Sequence, residues 1–203
     1  LVDRGGLLNL LPARVRALAK LAPAISVKSL TASTAEVTPP VGARRIRVGL
    51  LTGCVQRLAF AHVNEATVRV LAAEGCEVVA PRTQGCCGAL ALHAGREPDG
   101  RGFARRVIEV FEQAEVERVI VNAAGCGTSM KEYERLFADD PPWAARARAF
   151  SARVRDVNEL LIELGEPRAP RRPLHLRVAY HDACHLAHAQ GVSQQPRDLL
   201  QQV

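Results

Sequence analysis

Short apolar, β-branched runs alternate with helical segments along most of this chain, and this alternation limits the fold more than any other feature. The runs lie at 46–51, 76–80 and 118–121, with glycine or proline near their ends. Helices are predicted at 63–74, 89–95, 103–113, 128–137 and 157–164, with another beginning at Pro141. Strands that alternate with helices form parallel sheets, because a parallel connection needs a long crossover. The sequence therefore predicts an α/β fold, a parallel sheet with helices on both faces.

Four cysteines come at or shortly after the ends of the three apolar runs. Cys54 follows the first run, the adjacent pair Cys86 and Cys87 follows the second, and Cys126 follows the third. Ligands of open α/β sheets bind outside the carboxyl ends of the strands, so we expect these four sulfurs to meet. Glycines on both sides of the pair permit a tight turn that could aim both sulfurs at one centre. Converging thiolates indicate soft-metal chemistry, with iron–sulfur and zinc as the first candidates.

An internal repeat is indicated by two similar segments. Arg47-Val and Arg177-Val each begin a strand-like run that reaches a cysteine seven residues later, at Cys54 and Cys184. The second copy lacks its own adjacent cysteine pair, so we expect an incomplete repeat and a chain that is a fragment of a longer protein.

Three parts follow from these patterns. Residues 1–44 predict a helical leader and an extended linker, because helical apolar spacing is followed by a polar stretch that closes on two prolines. Residues 45–170 form the first cysteine-rich repeat, and residues 171–203 form the truncated start of the second.

Bulk composition excludes several classes of protein. The net charge is +6, but basic and acidic residues are interleaved and form no basic stripe, which argues against nucleic-acid binding. Six cysteines in 203 residues are too sparse for a disulfide scaffold. No apolar stretch reaches the ~18–20 residues that span a bilayer, and no signal peptide is evident. A reducing cytoplasmic location is expected.

Several short motifs resemble the CCG cysteine-rich domain, which occurs in heterodisulfide reductases and in the iron–sulfur subunits of glycolate and lactate oxidases. They are most similar to the glycolate oxidase iron–sulfur subunit family. The motifs are Thr52-Gly-Cys-Val-Gln, Asn64-Glu-Ala-Thr, Gln84-Gly-Cys-Cys-Gly-Ala-Leu, Val121-Asn-Ala-Ala-Gly-Cys-Gly, Lys131-Glu-Tyr and Tyr180-His-Asp-Ala-Cys-His-Leu.

The resemblance implies an iron–sulfur electron-transfer subunit of a glycolate (2-hydroxy acid) oxidase or dehydrogenase. Such a subunit relays electrons from a flavin subunit, which carries FAD, to quinone or another acceptor, and this segment alone would not be catalytic. Association with the inner face of the membrane would arise through the complex. The implied cofactor is a [4Fe–4S] cluster, and the implied ligands are Cys54, Cys86, Cys87 and Cys126, with Cys184 as the first ligand of the next repeat.

Ser129 departs from the family pattern. The heterodisulfide reductase version has a Cys-x-x-Cys element here, whereas this chain has Cys126 followed by serine at the fifth ligand position. Serine is a poor substitute for a thiolate toward iron, so four ligands remain, enough for a [4Fe–4S] cube but not for a larger non-cubane cluster. Two alternatives stay open: a thiol–disulfide redox protein of the heterodisulfide reductase kind, or a metal-free docking module.

Two further features have more than one interpretation, and a third has one. Cys184 and its neighbouring histidines could form a zinc site, could be ordinary loop residues, or could donate hydrogen bonds to a nearby sulfur. Asn122 could bond the cysteine loop or simply cap a strand, and Cys76 is expected to be structural. The neighbouring histidines are His181, His185 and His188.

Overall fold

The computed structural model describes residues 9, 12–21 and 34–203. The strands are β1 (Val37–Thr38), β2 (Ile46–Leu50), β3 (Cys76–Val79), β4 (Arg118–Val121) and β5 (Val154–Asp156). The helices are α1 (Ala13–Leu21), α2 (Gln56–Ala59), α3 (Ala61–Ala73), α4 (Ala89–His93), α5 (Glu97–Gln113), α6 (Ala124–Lys131), α7 (Tyr133–Leu136), α8 (Pro141–Ser151), α9 (Val157–Glu163) and α10 (Gln194–Leu200). A π-helical turn spans His185–Ala189.

The five strands form one sheet in the order β1-β3-β2-β4-β5. β2, β3, β4 and β5 are parallel, and β1 pairs antiparallel with β3 at the edge. Val48 of the central strand lies opposite Val78 on one side and Arg118 on the other. The predicted α/β fold with a largely parallel sheet is confirmed.

Each face of the sheet is covered by its own hydrophobic core. Val48 and Leu50 of β2 pack on one face with buried residues of α3 and α9. Leu51 belongs to the core of the other face, which is filled by α5, α6, α7 and α8. The alternation arises because successive side chains of a strand point to opposite faces. Helices therefore cover both faces, as the sequence predicts.

Gly49 allows the closest approach between the sheet and α5. A Cβ atom at this position would lie 2.6 Å from Cδ1 of the fully buried Phe111. The Phe111 ring therefore occupies the space that the side chain of any residue larger than glycine would need at position 49.

The strand order reverses at β2, and this reversal places the site. The connection from β2 leads to β3 on one side, and the connection from β3 passes over β2 to reach β4 on the other side. Such a reversal opens a crevice at the carboxyl ends of the two diverging strands, here β2 and β4. The predicted cysteine loops leave the sheet at this crevice.

Some predicted elements differ from the structure. Two short strands, β1 and β5, have no counterpart in the sequence prediction, and the single helix predicted at 128–137 is two helices, α6 and α7. The strand predicted from Arg177 toward Cys184 is wrong, because residues 170–183 have no regular secondary structure. Leu176 is 70% exposed there, and no described strand pairs with this segment.

The predicted leader is described only in part. Helix α1 falls within it, the linker supplies β1, and residues 1–8, 10–11 and 22–33 lie outside the described part of the chain. At the other end, the π-helical turn packs on α6 and α10 packs on α9. The three-part division of the chain stays a prediction. None of the described helices is long and apolar enough to cross a membrane.

Candidate metal centre

Three loops at the sheet reversal bring four cysteines to one pocket. Cys54 follows β2, Cys86 and Cys87 lie between β3 and α4, and Cys126 lies in the first turn of α6 after β4. All four line a cavity of about 390 Å³. The Sγ atoms of Cys54 and Cys86 lie 3.3 Å apart. The convergence expected from the strand ends is therefore present in the structure, although the loops belong to distant parts of the sequence.

Gly88 shapes the loop that carries the adjacent pair. Its φ is +84°, and a Cβ atom there would lie 2.9 Å from the carbonyl oxygen of Gly100 on α5. Only glycine combines this backbone conformation with so close an approach. The Gly88 N–H donates to the Sγ atom of Cys86 at 3.4 Å, which fixes that side chain toward Cys54.

The buried amide of Gln84 joins the Cys54 loop to the loop that carries the pair. The Thr52 N–H donates to Oε1 of Gln84 at 2.7 Å. Nε2 of Gln84 donates to the carbonyls of Leu50 at 3.2 Å and Pro81 at 2.9 Å. Gln84 is only 3% exposed, so these bonds are shielded from water. Its side chain therefore sets the spacing between the two loops.

A second amide cluster joins the β4 loop to the β2 loop and to α3. Nδ2 of Asn122 donates to Oδ1 of Asn64 at 3.1 Å and to Oγ1 of Thr67 at 2.8 Å. Gln56, two residues after Cys54, donates through Nε2 to Oδ1 of Asn64 at 3.0 Å and to Oδ1 of Asn122. Of the two interpretations of Asn122, the bond toward the cysteine loop is the one the structure contains.

The environment of the thiols differs from one cysteine to the next. Burial and the hydrogen bond with Cys86 raise the pKa of Cys54. A hydrogen bond with Cys126, together with burial, raises the pKa of Cys87 well above its usual range. The same hydrogen bond lowers the pKa of Cys126 although burial opposes it. Of this hydrogen-bonded pair, Cys126 is thus the more readily ionised in the metal-free pocket.

Tyr133 supports the adjacent pair from beneath. Its hydroxyl donates to the carbonyl of Cys87 at 2.5 Å, and its ring stacks on Phe150 with centroids 5.6 Å apart. Burial raises the pKa of Tyr133 well above its usual value, so the hydroxyl remains a donor.

Comparison with known proteins decides the family. The sequence profile of the cysteine-rich domain CCG matches residues 48–131 and 178–203, which contain all four pocket cysteines and Cys184. The chain belongs to the CCG cysteine-rich domain family.

Curated relatives carry names that mention iron–sulfur proteins and lactate use. The chain is 34% identical over 206 aligned residues to the "Probable glycolate oxidase iron-sulfur subunit" of Bacillus subtilis. The alignment covers all of this chain and 46% of that protein. It is 33% identical to "Lactate utilization protein A" of an Exiguobacterium species, over 75% of this chain and 62% of that protein. It is 34% identical to the protein of the same name from Bacillus velezensis, over 78% of this chain and 66% of that protein. The chain thus spans about half to two thirds of these relatives, and no solved structure matches it.

The donor set of the CCG pocket fits an iron–sulfur group. Four soft thiol donors surround a cavity several times the ~30 Å³ share of one water molecule. Within the part of the chain that the structure describes, no three side chains of His, Cys, Asp or Glu are placed to hold one metal ion.

Two other predicted positions lie apart from this pocket. Cys184 is exposed and does not line it. Ser129, which takes the place of a fifth cysteine, is buried on α6 and lines a neighbouring cavity. As expected, Cys76 is structural: it is fully buried in the core of the α3 face, and burial raises its pKa to about 11.

The rim of the pocket contains residues that sequence reasoning missed. His93 and His185 lie at its mouth with ring centroids 5.8 Å apart, so one of the three predicted histidines reaches the site. Phe60 and Leu90 add apolar walls. His185 is placed there because Gln190, just after the π-helical turn, donates to the carbonyl of Ala124 on α6 at 2.9 Å. Apart from His185, no local pattern marks these residues, since each acts through a distant contact.

Proposed function

We propose that this chain is the CCG part of an iron–sulfur electron-transfer subunit of a 2-hydroxy-acid oxidase or dehydrogenase. The observation that carries the proposal is the meeting of Cys54, Cys86, Cys87 and Cys126 in one cavity at the sheet reversal. The names of the relatives, an iron–sulfur subunit and a lactate utilization protein, support this class of protein.

The four pocket thiols would hold the cluster as thiolates. Four ligands suit a [4Fe–4S] cluster, and Ser129 supplies no fifth thiolate. When bound, such a cluster supplies one-electron transfer. The residues of the chain contribute rigidity and shielding: Gln84 and Asn122 hold the loops in place, and the apolar rim limits the access of water. Hydrogen bonds and burial around the sulfurs set the reduction potential.

The reaction partners of this subunit are proposed from the resemblance of its motifs to the glycolate oxidase iron–sulfur subunit family. A flavin subunit carrying FAD would oxidise the 2-hydroxy acid and pass electrons one at a time to the cluster. The subunit would relay them to quinone or another acceptor. The segment itself would bind no hydroxy acid, and any association with the inner face of the cytoplasmic membrane would arise through the complex.

Anaerobic reconstitution tests cluster binding. The reduced chain is incubated with iron and sulfide, and bound iron, acid-labile sulfide and the paramagnetic resonance spectrum of the dithionite-reduced sample are measured. We expect about four irons per chain. Cys87→Ala should lose the cluster, whereas the matched control Cys76→Ala, on the opposite face of the sheet, should keep it. A colourless chain without iron would refute the proposal.

Electron transfer is tested on the reconstituted chain. A free flavin, photoreduced anaerobically, should bleach the visible absorption of the cluster, and an added water-soluble quinone should restore it. If dithionite bleaches the cluster but reduced flavin does not, the chain does not transfer electrons from flavin to quinone. Cluster binding would still stand in that case.

A further inference from the structure

We propose that the metal-free chain closes a reversible disulfide between Cys54 and Cys86. The two Sγ atoms lie 3.3 Å apart, so only a small shift separates thiol contact from a covalent bond. The two residues belong to different loops, and the bond would join the end of β2 to the loop after β3.

The surroundings favour this pair over the buried cysteines and over Cys184. Cys54 and Cys86 are both partly exposed, so a small oxidant can reach them through the pocket mouth. Cys87 is 2% exposed, and Cys76 is fully buried on the other face of the sheet. Cys184 is exposed and does not line the pocket.

The loops are held in the geometry that the reaction needs. Gln84 joins the two loops through buried hydrogen bonds, and the Gly88 N–H holds the Sγ atom of Cys86 toward Cys54. Two groups fixed this close react with the high effective concentration of an intramolecular pair. Closure of the disulfide should therefore outpace attack by any external thiol.

The reaction balances with a low-molecular-weight disulfide such as oxidised glutathione. The thiolate of one cysteine attacks the glutathione disulfide, forms a mixed disulfide and releases one glutathione. The second cysteine attacks the sulfur of the first, closes the Cys54–Cys86 bond and releases the second glutathione. Two protein thiols are oxidised, one glutathione disulfide is reduced to two thiols, and the two thiol protons pass to the released glutathione.

The disulfide would act as a lock on cofactor loading. It removes two of the four thiols that line the pocket, and the remaining pair, Cys87 and Cys126, is too few for a cluster. Loading would then require prior reduction. The existence of the disulfide does not depend on the proposed electron-transfer function, because it rests on the distance between two sulfurs alone.

Peptide mapping tests the bond directly. The reduced, metal-free chain is exposed anaerobically to glutathione disulfide, quenched with iodoacetamide and digested with trypsin without reduction. Cleavage after arginine and lysine puts Cys54 in peptide 48–57, the adjacent pair in 83–96 and Cys126 in 119–131. We expect peptide 48–57 linked to 83–96, at ~10-fold or more over glutathionylated Cys54. Dithiothreitol should separate the two peptides.

Serine variants identify the partner sulfur. Cys86→Ser should abolish the linked peptide and leave glutathionylated Cys54 in its place, whereas Cys87→Ser should leave the link intact. The proposal is overturned if Cys54 is recovered only as a glutathione adduct, if Cys87→Ser removes the link, or if peptide 83–96 links to 119–131 instead.

A loading assay separates this proposal from the proposed function. The oxidised chain should take up less than about one tenth of the iron that the reduced chain binds, and dithiothreitol should restore uptake. Equal iron uptake by the oxidised and the reduced chain would refute the claim that the disulfide prevents cofactor loading. A reduced chain that binds no iron but still forms the link would overturn the cluster and leave the disulfide standing.

Discussion

Replacing Gln84 with leucine should loosen the two cysteine loops that it joins. The side chain makes three hydrogen bonds, to Thr52, Leu50 and Pro81, and is 3% exposed. Leucine has a similar size but can neither donate nor accept. The substitution therefore removes the bonds without leaving a large cavity.

The expected loss follows from these contacts. Three neutral hydrogen bonds contribute about 1 kcal/mol each, although the Pro81 carbonyl still accepts the backbone N–H of residue 84 at 3.4 Å. Burial of the leucine side chain returns about 1 kcal/mol. A net loss of about 2 kcal/mol in the free energy of unfolding corresponds to a fall in Tm of roughly 4–8 °C for a chain of this size.

Urea unfolding of the metal-free chain measures this change, with Gln113→Leu as the matched control. Gln113 ends α5 and is exposed, so its replacement should alter stability by less than about 0.5 kcal/mol. When glutathione disulfide is added, the rate at which the Cys54–Cys86 disulfide forms should fall in Gln84→Leu and stay unchanged in the control. A Gln84→Leu chain as stable as the original, with the same linking rate, would refute a clamping role for this amide.

Two further substitutions test the packing and the electrostatics of the fold. Gly49→Ala should destabilise the chain by about 1–3 kcal/mol, because the added methyl meets Phe111, whereas Gly102→Ala, with open space around its Cβ, should stabilise it slightly; equal effects in thermal unfolding would contradict this packing. Burial acts to raise the pKa of Glu74, but hydrogen bonds and the charge of Arg171 outweigh it, so the net pKa is lowered. A lowered carboxyl pKa stabilises the fold above the unfolded value of 4.5, and this stabilisation is lost as the pH falls through the folded pKa. Glu74→Gln should therefore cost about 2 kcal/mol at pH 7 and progressively less below pH 4.5 in urea titrations, and a pH-independent difference would contradict the ion pair.

The central strands and the cysteine pocket could be predicted because their signals are local. The apolar run 46–51 is long enough to indicate a buried strand. The carboxyl end of such a strand is where ligands of an open sheet bind. β5 could not be predicted in this way, because three residues with an arginine in the middle show no recognisable period.

The errors concern contacts between distant residues. The segment after Arg177 has strand-like composition, but a strand exists only when a neighbour supplies the ladder, and no described strand lies beside it. Gln190 could not be assigned to the site for a related reason. Its contact with α6, which positions His185 at the pocket, depends on Gly127, where a Cβ atom would lie 2.9 Å from the Gln190 amide, and no sequence spacing encodes that approach.

The reversal of strand order at β2 also determines when the proposed cluster could be inserted. The cysteine loops follow three different strands, and the third strand, β4, ends 67 residues after Cys54. During synthesis the nascent chain has no complete set of thiols until β4 has emerged and docked beside β2. Insertion of the proposed cluster would therefore follow the docking of β4 beside β2, and a chain that retains iron would already have assembled its central sheet.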